Sequence, residues 1–420
     1  MGDHSQSLVG RQDPSSHAAP RSSPAPLVVA VGLVVVATTL AVVAIALTWS
    51  GPHADASGRE TTDTGVQHVP ARVESARTTS CTGSVEDAQP DGTVPAQVPC
   101  VKVTAVVAGG PDAGEHVTVV ATTGTTAAEL GRGTRIVLER YPPADGAGVT
   151  WAWSDFERGL PLGTLALAFV LVTALVAGAR GLRAVLGLAF AAVVVWVYTL
   201  PALVAGHSPL VVAAATAVVV AVVVLYLVHG PSVRTTTALL GTLAGMALVG
   251  AIGSLAAHAA RLPAVTSEDD FQLANLVGDH GVAVLHGVFL CGVVLAGIGV
   301  LNDVTVTQVA AVWELRAAQP SAGPRVLFAG GMRIGRDHIA STVYTIAFAY
   351  AGASLPVLML LQLYGQPLGQ TLVSGAFAQE IIRTLAGAIG LVLAIPATTA
   401  IAAWFASTRH VRARGLTHAH

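Results

Sequence analysis

Charge is scarce in this sequence. Only 11% of its 420 residues are Asp, Glu, Lys or Arg, against roughly a quarter in an ordinary soluble protein. Lysine is all but missing, Lys102 being the only one. A P-loop therefore lacks the lysine that reaches its phosphates, and no amine is available within the apolar segments for Schiff-base chemistry. That argues against ATP-driven transport by this chain alone. Three cysteines fall short of the four ligands of a zinc ribbon. HExxH, G-x-S-x-G and any Cys/His cluster are absent, so metalloprotease and serine-hydrolase readings lack their minimum residues. His207 and Ser208 read as part of a turn rather than a catalytic pair. The net charge of −2 makes no case for nucleic acid. The chain is expected to be no enzyme and to need neither metal nor cofactor.

What remains is apolar: 53% of the residues are hydrophobic, and most of the chain is expected to lie in a lipid bilayer. About 20 apolar residues span the hydrocarbon core, and eight such runs are predicted. They are Leu27 to Trp49, Leu160 to Ala179, Leu182 to Leu200 (ended by Pro201), Pro209 to Val228, Thr235 to Ala260, Gly281 to Leu301, His338 to Leu361 and Ile381 to Phe405. The expected fold class is an all-α membrane bundle with a small β-rich domain inserted after the first helix. Residues 1–26 read as a disordered tail, 27–49 as an anchor, 50–158 as the β-rich domain, 159–405 as a seven-helix domain and 406–420 as a basic tail. A signal peptide competes for the first run, since Ala54 and Ala56 could form a cleavage site, but its apolar core would normally be only about 7–15 residues.

Strand periodicity marks the polar region. Val101, Val103, Ala105 and Val107 alternate with other residues, as do Val117 with Val119 and Ile136 with Leu138, between Gly, Pro and Asp punctuation. Cys81 and Cys100 both lie there. They pair in an oxidising compartment or stay free thiols, and spacing alone leaves both open. Arginines set the orientation. With the N-terminus inside, Arg180, Arg183, Arg234, Arg316, Arg325, Arg333, Arg336, Arg409, Arg412 and Arg414 all fall on the cytoplasmic side. Both termini are then cytoplasmic, the β-rich domain is outside, and the plasma membrane is the expected location.

The ionisable groups near the last spans are the candidate site. Charge in lipid costs on the order of 3 kcal/mol, so Asp303, Glu314, Asp337, His338, Glu380 and Arg383 either face a protected interior or sit at the membrane edge. His338, Ser341, Thr342 and Thr345 follow i, i+3, i+4, i+7 and share one helical stripe. That stripe lines a polar pathway or supplies hydrogen bonds between helices. Glu380, Arg383, Thr384 and Gly387 repeat the spacing, as a buried pair or as solvated interfacial charges. Asp303, Thr307 and Glu314 share one side of a helix whose other side holds Val306, Val309 and Trp313. With Asn302 or Asp303 as its N-cap, that helix lies against the inner membrane face or continues the span before it. Asp337 is read as capping the next span. The Glu268, Asp269, Asp270 run is taken as solvated. Gly241 and Gly245 make a GxxxG step, which predicts close packing and offers one route to a homo-oligomer.

Three phrases carry a resemblance: GVLNDVTVTQ, GRDHIASTVYTIAFAYAGASLP and EIIRTLAGAIGLVLAIPATT. From about Trp153 to Trp404 the chain resembles the YibE/F-like family of bacterial multi-pass membrane proteins. The family usually carries two adjacent aspartates where this chain has Asn302 and Asp303. The resemblance implies architecture and brings no activity with it. Function is therefore read from the residues: a permease-like protein moving a small solute or ion, or a non-transporting scaffold or sensor whose outer β domain binds a ligand or envelope partner.

Overall fold

A computed structural model describes residues 25–51, 65–84, 87, 89, 92–143, 148–266, 268–277, 281–363, 365 and 367–408. The predicted tails (as far as residues 1–24 and 409–420) and the Ala54/Ala56 cleavage site lie outside these residues. The fold divides into two units, Asp55–Val185 and Met1–Ala54 with Leu186–His420.

The first unit is built on five antiparallel strands: β1 (Gln67–Thr82), β2 (Gln97–Val107), β3 (His116–Val120), β4 (Arg135–Tyr141) and β5 (Thr150–Phe156), in the order β3-β2-β1-β4-β5. Alternation decides which side is core. Val69, Ala71 and Val73 of β1, Val101, Val103 and Ala105 of β2, Val117 and Val119 of β3, and Ile136 and Leu138 of β4 bury against one another. Between Val73 and Ser75 the β1–β2 register shifts, and such a bulge bends and twists a strand. β1 can therefore pair with β2 along most of its length and with β4 through Gln67–Arg72. The edge strands β3 and β5 approach each other, curling the sheet toward a five-stranded Greek-key barrel of the OB type. Cys81 and Cys100 join neighbouring strands in a disulfide, Cα to Cα 5.8 Å.

Helix α2 (Gly159–Val194) follows, broken at Gly178, whose φ of 59° and ψ of −143° are not helical. The two runs predicted at 160–179 and 182–200 therefore form one helical stretch with a break. Pro201 does not end the second. A π-helical turn, Val195–Thr199, precedes it, and α3 (Leu200–Val204) carries on. A wider turn is a known way to carry a proline through a helix.

The second unit is helical: α1 (Ala25–Leu47), α4 (Pro209–His229), α5 (Val233–Ala259), α6 (Glu268–Val277), α7 (Gly281–Ala318), α8 (Pro324–Ala353), α9 (Leu355–Leu363), α10 (Leu368–Leu372) and α11 (Gly375–Thr408). α1 packs along α4. Beyond its end, the Thr48 hydroxyl is hydrogen-bonded to the Tyr198 hydroxyl at 2.8 Å and Trp49 stacks on the Tyr198 ring. At the centre α5, α7 and α11 touch closely because α5 offers glycines. A methyl group on Gly241 would lie 2.3 Å from the Thr398 hydroxyl, and one on Gly245 2.8 Å from Leu301. The GxxxG face thus packs against α7 and α11 of the same chain.

Among the described residues, six helical runs are long and apolar enough to cross a membrane: Leu27–Leu47, Gly159–Val204, Pro209–His229, Val233–Ala259, Gly287–Ala318 and Phe377–Thr408. The sequence pattern predicts eight spans. The difference is the fusion of two runs across Gly178 and the omission of His338 to Leu361. That segment is divided at Ser354 between α8 and α9, and α8 begins well before it, carrying Arg325, Arg333, Arg336 and Asp337.

Candidate functional site

Neutral polar groups tie the interior of the bundle together. α7 runs unbroken from Gly281 to Ala318 because no proline interrupts it. Asn302 and Asp303 are therefore mid-helix residues and not an N-cap. The face that α7 turns inward is Leu301, Val304, Thr305, Gln308 and Val312, all buried. Gln308, 1% exposed, donates from Nε2 to the Gly331 carbonyl at 2.7 Å and to the Thr399 hydroxyl at 2.8 Å. The Thr399 hydroxyl donates in turn to the Ile395 carbonyl at 2.6 Å. One amide so ties α7 to α8 and α11. Gly331 and Gly335 make the approach possible, since added methyl groups would meet Thr399 and Ile395 at 2.7 Å each. Further along, the Thr242 and Thr305 hydroxyls join α5 to α7 at 2.7 Å. The buried Thr398 hydroxyl has no partner among the described residues.

The predicted pathway residues are arranged otherwise. Asp303, Glu314, Asp337, Ser341 and Thr345 are exposed, while His338, Thr342, Glu380 and Arg383 are half-buried. α8 turns Leu327, Gly331, Gly335 and Ile346 inward, which leaves Ser341 and Thr345 on the outside. Asp337 lies mid-helix, so it caps nothing; the N-cap of α8 is Gly323. The threonine hydroxyls bond within their own helices: Thr342 to the His338 carbonyl at 2.9 Å, Thr345 to Ser341 at 3.1 Å, Thr307 to Asp303 and Thr384 to Glu380, both at 2.9 Å. Glu314 pairs with Arg234 at 3.5 Å in an exposed bridge. These groups do not converge on one interior. Glu314 lies near the end of α7, where a charge reaches water cheaply, while mid-helix Asp303 and Asp337 stay exposed and leave the interior to neutral groups that can be satisfied locally.

Glu380 and Arg383 come nearest to the expectation. They pair at 3.4 Å, each side chain less than a third exposed, and the guanidinium lies 5.7 Å from the centre of the Phe289 ring. Arg383 and Tyr350 also line a cavity of about 40 Å³ between α7, α8 and α11, room for little more than a water molecule. Beside it, Glu380 and Thr384 border an open, almost wholly apolar groove of about 300 Å³.

A larger hollow lies in the barrel unit, about 430 Å³, with the Cys81–Cys100 disulfide, Asp87, Thr123 and Trp153 on its walls. The Asp87 carboxylate accepts from the Ser84 amide at 2.9 Å, the Ser84 hydroxyl at 3.0 Å and the Thr123 hydroxyl at 3.3 Å. These donors, the Ser84 amide first, hold its carboxyl below the usual carboxylate range. Sequence reasoning missed this hollow and the Gln308 junction alike. Gln308 stood within a motif, but a lone amide is no signal without its partners on two other helices. The hollow is assembled from strand ends and loops that no period marks.

The family described as YibE/F-like protein matches residues 165–408, which covers the bundle and leaves the barrel outside the match. No curated protein and no solved structure matches the chain.

Proposed function

The chain belongs to the YibE/F-like protein family, and from that premise we propose that it is a multi-pass protein of the plasma membrane whose outer barrel binds a ligand. Its helical bundle holds the barrel at the surface. Both termini are cytoplasmic in this reading, which follows the arginine bias of the short loops. Gly178 divides a run of 46 residues, Gly159–Val204, which is about twice the length that one crossing needs, so it accommodates two crossings. The observation that carries the reading is the polar lining of the barrel hollow, with Ser84, Asp87, Thr122, Thr123 and Thr125 on its walls. The barrel has a hollow of about 430 Å³, within the usual small-molecule range of roughly 300–1,000 Å³. In the bundle the cavity at Arg383 holds about 40 Å³, and the groove of about 300 Å³ beside Glu380 is open and almost wholly apolar.

A permease-like protein moving a small solute or ion is the second reading. The half-buried Glu380–Arg383 pair favours it, because a charged pair drawn in from a helix end marks many transport pathways. The two separate in proteoliposomes. The binding reading expects no flux of Na⁺, K⁺, H⁺ or amino acids above empty vesicles, together with ligand-dependent thermal stabilisation that Thr123→Arg, which fills the hollow, removes. Flux that Glu380→Gln or Asp303→Asn reduces would overturn it in favour of transport.

A further inference from the structure

We infer that the barrel hollow is a binding site for a neutral polyhydroxylated ligand, a short saccharide. The inference rests on the proposed binding role of the outer barrel and names its ligand class. Charge is the first argument. Among the described residues the lining contains no Arg, Lys or His, and its single ionisable group outside the disulfide is Asp87. Phosphates and nucleic acids bind through cationic groups, so anions find no counter-charge here. An amine would meet one carboxylate and no second charged acceptor among the described lining residues. A carboxylate offers about four lone-pair sites, and three hydrogen bonds from Ser84 and Thr123 already occupy Asp87.

Hydrogen-bonding capacity is the second argument. Thr82, Ser84, Thr122, Thr123 and Thr125 line the hollow; the Ser84 and Thr123 hydroxyls donate to Asp87 and offer a ligand their lone pairs, while those of Thr82, Thr122 and Thr125 can each donate once and accept twice. Such a surface matches a ligand that is itself a dense array of hydroxyls. The remaining Asp87 lone pair supplies one strong, charge-assisted acceptor among them. Trp153 is the third. It is half-buried against the barrel core and held edge to face on Phe156, centroids 5.4 Å apart, so the indole is fixed before any ligand arrives. A rigid aromatic wall beside hydroxyl donors serves the apolar C–H face and the polar rim of a sugar ring together. The Cys81–Cys100 disulfide ties the two strand ends beneath the hollow, which limits the ordering that binding must impose. Barrels of this topology bind oligosaccharides or oligonucleotides on other proteins. That is an analogy of fold alone, and the absence of cations from the described lining favours the sugar.

The test uses the full chain in lipid nanodiscs with maltotetraose and the tetramer of N-acetylglucosamine as probes, followed by titration calorimetry. Saturable binding of at least one probe is expected. Trp153→Ala should weaken it at least tenfold and Thr123→Val several-fold. Trp153→Phe, which keeps an aromatic wall and barrel packing, should retain measurable binding and so distinguishes a lost contact from a misfolded barrel. No saturable heat with either probe at millimolar concentration, or unchanged binding in Trp153→Ala and Thr123→Val, overturns the inference. So does tighter binding of an oligothymidylate than of either sugar. If another class of small molecule binds and Trp153→Ala abolishes that, the saccharide assignment falls while the binding role of the barrel stands. If Thr123→Arg leaves every observed binding intact, both fall.

Discussion

Replacing Gly241 by alanine and reading the result against Thr398 tests the packing at the centre of the bundle. The added methyl group would sit 2.3 Å from the Thr398 hydroxyl, 2.9 Å from its methyl and 3.1 Å from its Cβ. Overpacking of a filled core costs roughly 1–3 kcal/mol, so Gly241→Ala should lower stability by about 2 kcal/mol. Thr398→Ala removes the first two obstacles and leaves the third. Alone it discards a methyl group, worth about 0.8 kcal/mol, together with a buried hydroxyl that makes no hydrogen bond among the described residues. The single change should therefore be mild. In the double variant the new methyl group meets only a Cβ that yields by a few tenths of an ångström. The coupling between the two sites should recover about 1 kcal/mol or more, within the range typical of contacting residues. Unfolding in mixed micelles of the four proteins of this cycle measures it. Additive effects, with Gly241→Ala equally harmful in the Thr398→Ala background, would refute the contact between α5 and α11. If Gly241 instead served a dimer, the alanine variant would lose oligomer by cross-linking with no dependence on position 398.

Gln308→Leu keeps volume while removing both donated hydrogen bonds. Interhelical hydrogen bonds in membrane proteins average about 0.6 kcal/mol, so a loss near 1 kcal/mol is expected in the same unfolding assay. A change in Gln308→Leu no larger than that of an exposed control such as Ser341→Ala would contradict the junction. Cys81→Ser should cost the barrel about 3 kcal/mol, from the loop-closure term for the 19-residue separation of the bridged cysteines; thermal scans with and without reductant read it, and a reductant-insensitive wild type would refute the bridge. Arg234→Ala should change stability by under about 1 kcal/mol, because the Arg234–Glu314 bridge is exposed. The Asp87 carboxyl is held below its ordinary value. Its contribution is therefore present above about pH 4 and is lost as the pH falls through the folded value. Asp87→Asn should flatten the acid limb of barrel stability, followed by near-ultraviolet dichroism, and an unchanged limb would refute the Ser84 and Thr123 contacts.

Local periods were legible in the sequence, and they decided much. Alternation at Val101, Val103 and Ala105 or at Ile136 and Leu138 needs only a sheet with one dry face, so the strands and their inward sides follow from two-residue spacing. Long apolar runs at Leu27, Pro209 or Thr235 likewise require only enough consecutive residues to bury a helical backbone. The sequence by itself therefore determined that a bundle of apolar helices accompanies a small β unit, and that family likeness extends over the bundle. Which face of each helix turns inward was decided only in three dimensions. Lipid tails and a protein interior are equally apolar, so hydropathy cannot tell them apart. The stripe from His338 to Thr345 has the spacing of an inward face, yet α8 packs through Leu327, Gly331 and Gly335 instead. Gln308 acquires its role from Gly331 and Thr399, 23 and 91 residues away. A buried polar group is tolerated where distant helices bring it partners, and only the tertiary fold determines which helices those are.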